Sequence, residues 1–160
     1  MKNVKKNFIV AMRKMVHSVT VISSTFNKER CAITVSSLTS LSVNPPSLLV
    51  CINKESSFAK CIQNEKLLNV NFLNPNQQDL AEICSSRDKA NDRFVSSEWF
   101  QDKNGIPYIP SAESVAFCKI TKKIDYATHL IVILDVYKVA LNSEGEPNPL
   151  LYSNGSYHSL

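Results

Sequence analysis

TVSSLTSLSVNPPSLLVCINKESSF, residues 34–58, is the stretch on which the reading of this chain turns. It holds seven serines and two threonines, interleaved with apolar residues. A solvated loop has no use for Val35, Leu38 and Leu41 at those places. A plain core strand does not carry so many hydroxyls. The combination describes a backbone edge that packs on one side and offers small hydrogen-bonding groups to a polar ligand on the other.

Within it, Asn44-Pro45-Pro46 breaks the chain. Residues 47–52 then form a near-continuous apolar run, which predicts a strand buried on both faces. Asn53-Lys54-Glu55-Ser56-Ser57 follows at once. Ser56 or Ser57 can cap a short helix carrying Phe58, Cys61 and Ile62. Exposed N–H groups at a helix start favour phosphate, with Lys54 adding charge and the two serines adding donors. Serines and threonines also occupy strand ends and turns for purely structural reasons, so the second cluster is what turns the reading toward a ligand.

Outward from this stretch the elements follow by period and punctuation. Val4, Phe8, Met12, Met15 and Val16 recur at helical spacing among lysines and predict an amphipathic first helix. Residues 18–22 are rich in β-branched side chains and read as a strand. A polar turn at 26–30 leads into a second strand at 31–35, making a hairpin. Residues 67–73 form a further strand. Asn76 is placed to cap a helix on which Leu80, Ala81 and Cys84 share a face. Residues 85–92 are charged and irregular, and Pro107-Tyr108-Ile109-Pro110 is extended because each proline restricts its predecessor. Strands are expected at 115–120, 129–141 and 149–152, before a polar tail. Six or seven strands, mostly hairpin-connected, with few helices, predict a mainly β chain: a closed or nearly closed antiparallel barrel, in a single domain over 1–160.

Composition excludes several classes. With 160 residues the chain can bury roughly 70% of its unfolded surface, so neither disulfide nor metal is required for a core. A net charge of +4 is mild and partly N-terminal (Lys2, Lys5, Lys6, Arg13, Lys14); nucleic-acid binders concentrate charge more strongly. The five cysteines lack a C-x-x-C pair and predict reduced, half-buried thiols in a cytoplasmic protein. The apolar run at 8–12 is too short for a signal peptide, and no stretch approaches the ~20 apolar residues of a membrane span. No glycine lies in the first hundred residues, so G-x-G-x-x-G and the P-loop are both absent.

Other candidates stand alone. His129 opens the long C-terminal strand after Tyr126-Ala127-Thr128; it is a surface histidine at a strand end or a functional one. His17 and His158 have no supporting neighbours. Three scattered histidines give no metal-ligand spacing, and no serine or cysteine sits in a nucleophile motif. Arg93 is an ion-pair partner or a phosphate ligand, with the ion pair slightly favoured.

Taken together, these segments resemble the flavin reductase family of FMN-binding split barrels. More narrowly, the chain is similar to the NAD(P)H:flavin oxidoreductase components of two-component aromatic monooxygenases, of the 4-hydroxyphenylacetate 3-monooxygenase reductase type. The resemblance rests on Thr34-Val35-Ser36-Ser37, Asn44-Pro45-Pro46-Ser47-Leu48-Leu49-Val50-Cys51-Ile52-Asn53, Asn69-Val70-Asn71-Phe72, Arg93-Phe94, Thr128-His129-Leu130 and Leu150-Leu151-Tyr152. It implies a homodimeric split barrel binding FMN or FAD. Thr34, Val35, Ser36 and Ser37 would line the flavin ring, largely through backbone. Cys51, Ile52 and Asn53 would flank ring and ribityl chain. Ser56 and Ser57 would hold the phosphate with Lys54 nearby, and His129 would help to place the nicotinamide. Many members read Gly-Asp-His where this chain reads Ala127-Thr128-His129, a variant that resembles the aromatic-hydroxylase reductases.

The implied activity is hydride transfer from NADH or NADPH to flavin, with reduced flavin leaving for a partner monooxygenase. The cofactor carries that chemistry, so no catalytic acid, base or metal is assigned. Two alternatives stand beside it: a flavoprotein of the same fold that keeps its FMN as an oxidase or electron carrier, and a non-enzymatic barrel acting as a binding module.

Overall fold

The computed structural model describes residues 2–96, 98–142 and 145–160. Seven strands form one antiparallel sheet: β2 (Thr20–Phe26), β3 (Glu29–Val35), β4 (Thr39–Val43), β5 (Pro46–Asn53), β6 (Leu67–Phe72), β9 (Ser114–Tyr126) and β10 (His129–Leu141). Their spatial order is β3-β2-β6-β9-β10-β5-β4. The sheet curls around a core, yet no ladder joins its two end strands among the described residues. The molecule is therefore a split barrel, open where closure was the other possibility. The seam lies between β3 and β4, and residues 36–38 of the opening stretch cross it.

Period-two alternation builds the two hydrophobic layers. On β2, Val21 faces out and Ile22 faces in. On β9, Val115 and Phe117 face out while Ala116 and Cys118 face in. The inner layer holds Ile22, Val50, Ile52, Leu68, Val70, Val132 and Leu134. It is plugged by Phe58 and Ile62 from the short helix α2 (Ser57–Cys61) and its end. The outer layer packs Val21, Ala32, Val115 and Phe117 beneath Leu80, Ala81 and Cys84 of α3 (Gln78–Ser85). Asn69 and Asn71, on β6, are fully buried on the outer side. Asn71 donates to Val21 O at 2.8 Å and accepts from Ile109 N at 2.8 Å. Asn69 reaches Pro107 O at 3.2 Å, so the pair holds the 102–112 connection onto the sheet.

Several sequence expectations are corrected. The first helix, α1, runs Lys2–Met12, and the backbone tightens at Lys14 and Met15 before β1 (His17–Ser18), so Met15 and Val16 lie beyond it. Residues 47–52 do lie in a strand, but it is not buried on both faces. Val50 and Ile52 are in the core, whereas Leu49, Cys51 and Asn53 are half-buried because their face is left uncovered. Asn74, and not Asn76, caps the turn before α3, in a capping box with Gln77. The extended 107–110 segment contributes only β8 (Pro107–Tyr108), paired to β7 (Phe100–Gln101). The polar tail contains a further strand: β12 (Ser156–His158) returns on β11 (Leu151–Ser153), through Asn154 and Gly155 at φ 49° and 84°. That Asn-Gly turn is the standard two-residue hairpin connection.

The cysteines differ most. Cys31 on β3 and Cys61 at the end of α2 are joined in a disulfide, with Cα atoms 6.7 Å apart. Only Cys51, Cys84 and Cys118 are free thiols. The sequence separation of 30 between the bonded pair concealed a proximity that α2, folding back against β3, creates.

Candidate functional site

Two groups of residues, far apart in the chain, meet at the seam. Val35 pairs with Thr20 at the end of β3, and the backbone leaves the sheet at Ser36. Ser37 then donates through Oγ to Cys51 O at 2.8 Å, bridging the β3 exit to β5. Two residues further along β5, Asn53 stands opposite His129 of β10. The structure thus brings Thr34–Ser37, Cys51–Asn53 and His129 to one side of the barrel. Lys54 N donates to Thr128 O at 3.1 Å, which fixes the turn out of β5.

Not every side chain in this set is available. Thr34 Oγ1 donates to Ala81 O at 2.6 Å and ties β3 to α3. Val35 and Ile52 point into the inner core. These three can serve a ligand only through backbone groups. Ser36 and Ser37 remain at the surface. Ser36 lines two cavities: one of about 190 Å³ with Thr34, Ser85, Tyr152 and Tyr157, and one of about 380 Å³ beneath α1, with Phe8, Met12 and Arg13. His129 is exposed, with Nδ1 2.9 Å from the Thr128 hydroxyl.

The expected phosphate end is sorted more sharply. Ser56 is the N-cap of α2: its hydroxyl accepts from Ala59 N at 3.1 Å and donates to Asn53 O at 2.7 Å. It is therefore committed to the fold. α2 has five residues, too short for a sizeable helix dipole. Lys54 points its ammonium at Asp125, 2.6 Å away. The positive charge instead comes from side chains. Ser57, Lys60, Arg87 and Arg93 line a cavity of about 290 Å³ together with Glu55, whose carboxylate lies 3.9 Å from Arg87 at the exposed rim. An adjoining one of about 250 Å³ shares Ser57, Lys60 and Arg93 and adds Arg30, Cys31, Cys61 and Phe94.

Arg93 is the notable member. It is 8% exposed and makes no ion pair among the described residues, contrary to the sequence expectation. Its two terminal nitrogens donate to Ala32 O at 3.0 Å and Ser86 O at 2.8 Å. Its Nε is buried with no partner. A buried cation without a counter-charge is costly unless an anion completes it. Ser57, whose hydroxyl likewise has no protein partner among the described residues, stands on the same cavity wall. This donor set fits a phosphate. Lys60 and Arg87 were not foreseen from sequence, although Lys60 lies one helical turn after Ser57.

The remaining thiols behave differently. Burial pushes Cys84 up to about 12, slightly offset by Arg93, and pushes Cys118 up to about 12, reinforced by Asp135. Both are inert packing residues. A further cavity, of about 490 Å³ and lined by Asp102, Tyr108, Tyr137 and Lys138, includes none of the candidate site residues. No cluster of three or more potential metal ligands occurs among the described residues.

The fold and this donor set define a small split barrel with an open seam and a cavity lined by cationic side chains. A family model, the flavin reductase like domain, matches residues 12–160. The chain is 32% identical over 158 residues to the reductase component of the FADH(2)-dependent resorcinol hydroxylase of Rhizobium sp. (strain MTP-10005), covering 98% of this chain and 87% of the relative. It is 29% identical to the FMN reductase (NADH) RutF of Ancylobacter novellus, covering 94% and 82%. A crystal structure described as a flavin reductase from Haemophilus somnus 129pt superposes with a TM-score of 0.89 at 28% identity, covering 97% and 98%. This chain belongs to the flavin reductase family. It is an oxidoreductase that uses NAD(P)H to reduce FMN or FAD.

Proposed function

We propose that this chain is the reductase half of a two-component system, a single unit over 1–160 that supplies reduced flavin to a separate monooxygenase. The observation that carries the site assignment is the buried Arg93, whose Nε has no partner and which has no counter-charge among the described residues, in a cavity shared with Ser57, Lys60 and Arg87. That cavity is an anion cradle, and its Ser57 directly follows Ser56, whose hydroxyl donates to Asn53 O at 2.7 Å, which suits a flavin lying along the opening stretch. When bound, flavin supplies the hydride-accepting ring.

The chain's own part is to bind and orient. Backbone groups of Thr34, Val35 and Ile52, with Ser36, Ser37, Cys51 and Asn53, would border the ring and ribityl chain. Ser57, Lys60, Arg87 and Arg93 would hold the phosphate. Ser56 and Lys54 would act one step back, Ser56 by capping α2 and Lys54 by pairing with Asp125. His129, opposite Asn53, would border the nicotinamide.

A homodimer is part of this reading. Phe8, Ile9 and Met12 on α1 and Leu41 and Val43 on β4 stand exposed, Val43 by 89%. So large an uncovered apolar surface flanking the seam suits a second copy of the chain. A cytoplasmic place follows from dependence on nicotinamide nucleotides. No helix among the described residues is long and apolar enough to cross a membrane.

The test follows NADH oxidation while free FMN is added to purified protein. Turnover should rise with FMN well beyond one equivalent. A rate that saturates at one equivalent would mean the flavin stays bound. No FMN binding at tens of micromolar would overturn the reading.

A further inference from the structure

We infer that Cys31 and Cys61 form a redox-modification site, oxidised by peroxide, that sets how tightly the neighbouring anion cradle holds its ligand. The inference rests on the flavin reading of that cradle. Three observations lead to it. The bonded pair forms part of the wall of the cavity that also holds Ser57, Lys60 and Arg93. It joins the two elements that carry the candidate site: β3, which delivers Thr34 and Val35 to the seam, and α2, which carries Ser57 and Lys60. Arg30, Lys60 and Arg93, with Glu29, line the same open cavity, and Cys31 is half-buried there while Cys61 lies behind it at 5% exposure. Predominantly electropositive, partly exposed surroundings are those in which cysteines react, which makes Cys31 the first to be attacked.

Opening the bond would act locally. α2 keeps its Ser56 cap and its buried Phe58 and Ile62. Lys123 still donates to the carbonyls of Ile62, Gln63 and Glu65 at its far end. What is lost is the tether that fixes Ser57 and Lys60 against β3. The dithiol form therefore stays folded with a looser cradle, and the disulfide form holds a phosphate more firmly.

The activity itself supplies the oxidant. Reduced flavin that escapes into solution reacts with dioxygen to give oxidised flavin and hydrogen peroxide. One thiolate attacks a peroxide oxygen and becomes a sulfenic acid, releasing water after proton uptake. The second thiol displaces a second water and closes the disulfide. In sum, two thiols and one peroxide give one disulfide and two waters, with two electrons passing from sulfur to oxygen. A dithiol reductant returns the pair by exchange. Pairs of this kind in reducing compartments are usually transient or sensing. Here, peroxide made by leaked reduced flavin would tighten retention of flavin and curb further leakage.

The experiment has two arms on the full chain. In the first, protein treated with hydrogen peroxide is denatured in alkylating agent and weighed. Three labelled cysteines are expected, matching Cys51, Cys84 and Cys118, against five after reductant. Five labels after peroxide would overturn the proposal. In the second arm FMN is titrated into both forms. Reduction should raise Kd by about fivefold or more. Cys61→Ala should bind like the reduced form whether or not peroxide is present, with Cys31→Ala as the second variant should the first not fold. Equal Kd in the two forms of the native chain would overturn the switch while leaving the flavin reading intact. A peroxide response persisting in Cys61→Ala would move the effect to Cys51 and overturn it too. Absence of FMN binding in both forms would overturn the flavin reading together with the inference.

Discussion

Adjacent serines carry different duties here, and substitution should separate them. Ser57→Ala removes a free donor from the cradle; loss of a hydrogen bond to a charged group is worth roughly 1.5–3 kcal/mol, or about tenfold and more in FMN Kd. Its melting temperature should be unchanged. Ser56→Ala removes an N-cap and should cost about 1 kcal/mol of stability, seen as a lower melting temperature, with a smaller effect on FMN. Arg93 and Lys60 are read by comparing FMN with riboflavin, which lacks the phosphate. Lys60→Ala should weaken FMN but leave riboflavin binding as it was; equal loss for both ligands would remove Lys60 from the phosphate site. His129→Ala should raise KM for NADH more than Kd for FMN, and equal losses would contradict its assignment to the nicotinamide. The buried thiols give a pH prediction. Cys84 and Cys118 have folded pKa values raised from 9.0 to about 12, so their contribution is fully present below about pH 9 and is lost as pH rises toward 12. Melting temperature should fall progressively above pH 9, with a shallower slope in Cys118→Ala. The sequence could show that serines cluster beside a lysine, but only α2's geometry assigns one serine to the cap and leaves the other free.

At the level of elements, strands were the most legible because their signal is local. The alternation on β10 and the β-branched run of β2 place both strands, and His129–Leu141 coincides with the expected long strand. What escaped was whatever depends on pairing. β9 extends to Tyr126, six residues past its apolar segment, because β10 pairs with residues 122–126 beyond a bulge at Thr121. β12 was missed although Asn154-Gly155 announces its turn, since three residues of mixed polarity carry no periodic signal. The disulfide was invisible for the same reason: Cys31 and Cys61 become neighbours only when α2 folds against β3. α2 itself is short enough to depend on its ends. Lys123→Met should free the carbonyls after Cys61 and loosen the helix, detected as faster amide exchange at Phe58–Ile62 than in the parent chain. Unchanged protection there would mean that burial of Phe58 and Ile62 suffices on its own.

For the whole molecule, barrel class was readable, because a strand-rich chain of hairpin-connected segments with few helices admits few other arrangements. The uncovered surface was not, since an apolar side chain looks alike in sequence whether it meets its own core or another copy. Light scattering should give twice the chain mass, and Val43→Glu, at an 89% exposed position, should shift it to the monomer with little change in secondary structure. A monomeric parent chain would leave α1 and β4 without their proposed cover. The break in the ladder between β3 and β4 has one more consequence. A closed barrel can admit a large planar guest only by rupturing backbone hydrogen bonds. Here the wall has a gap already, so arrival and departure require no unzipping. On the proposed reading the guest is a passenger instead of a resident, and the time it spends aboard is set by side chains such as Ser57 and Arg93 and not by the strength of the sheet.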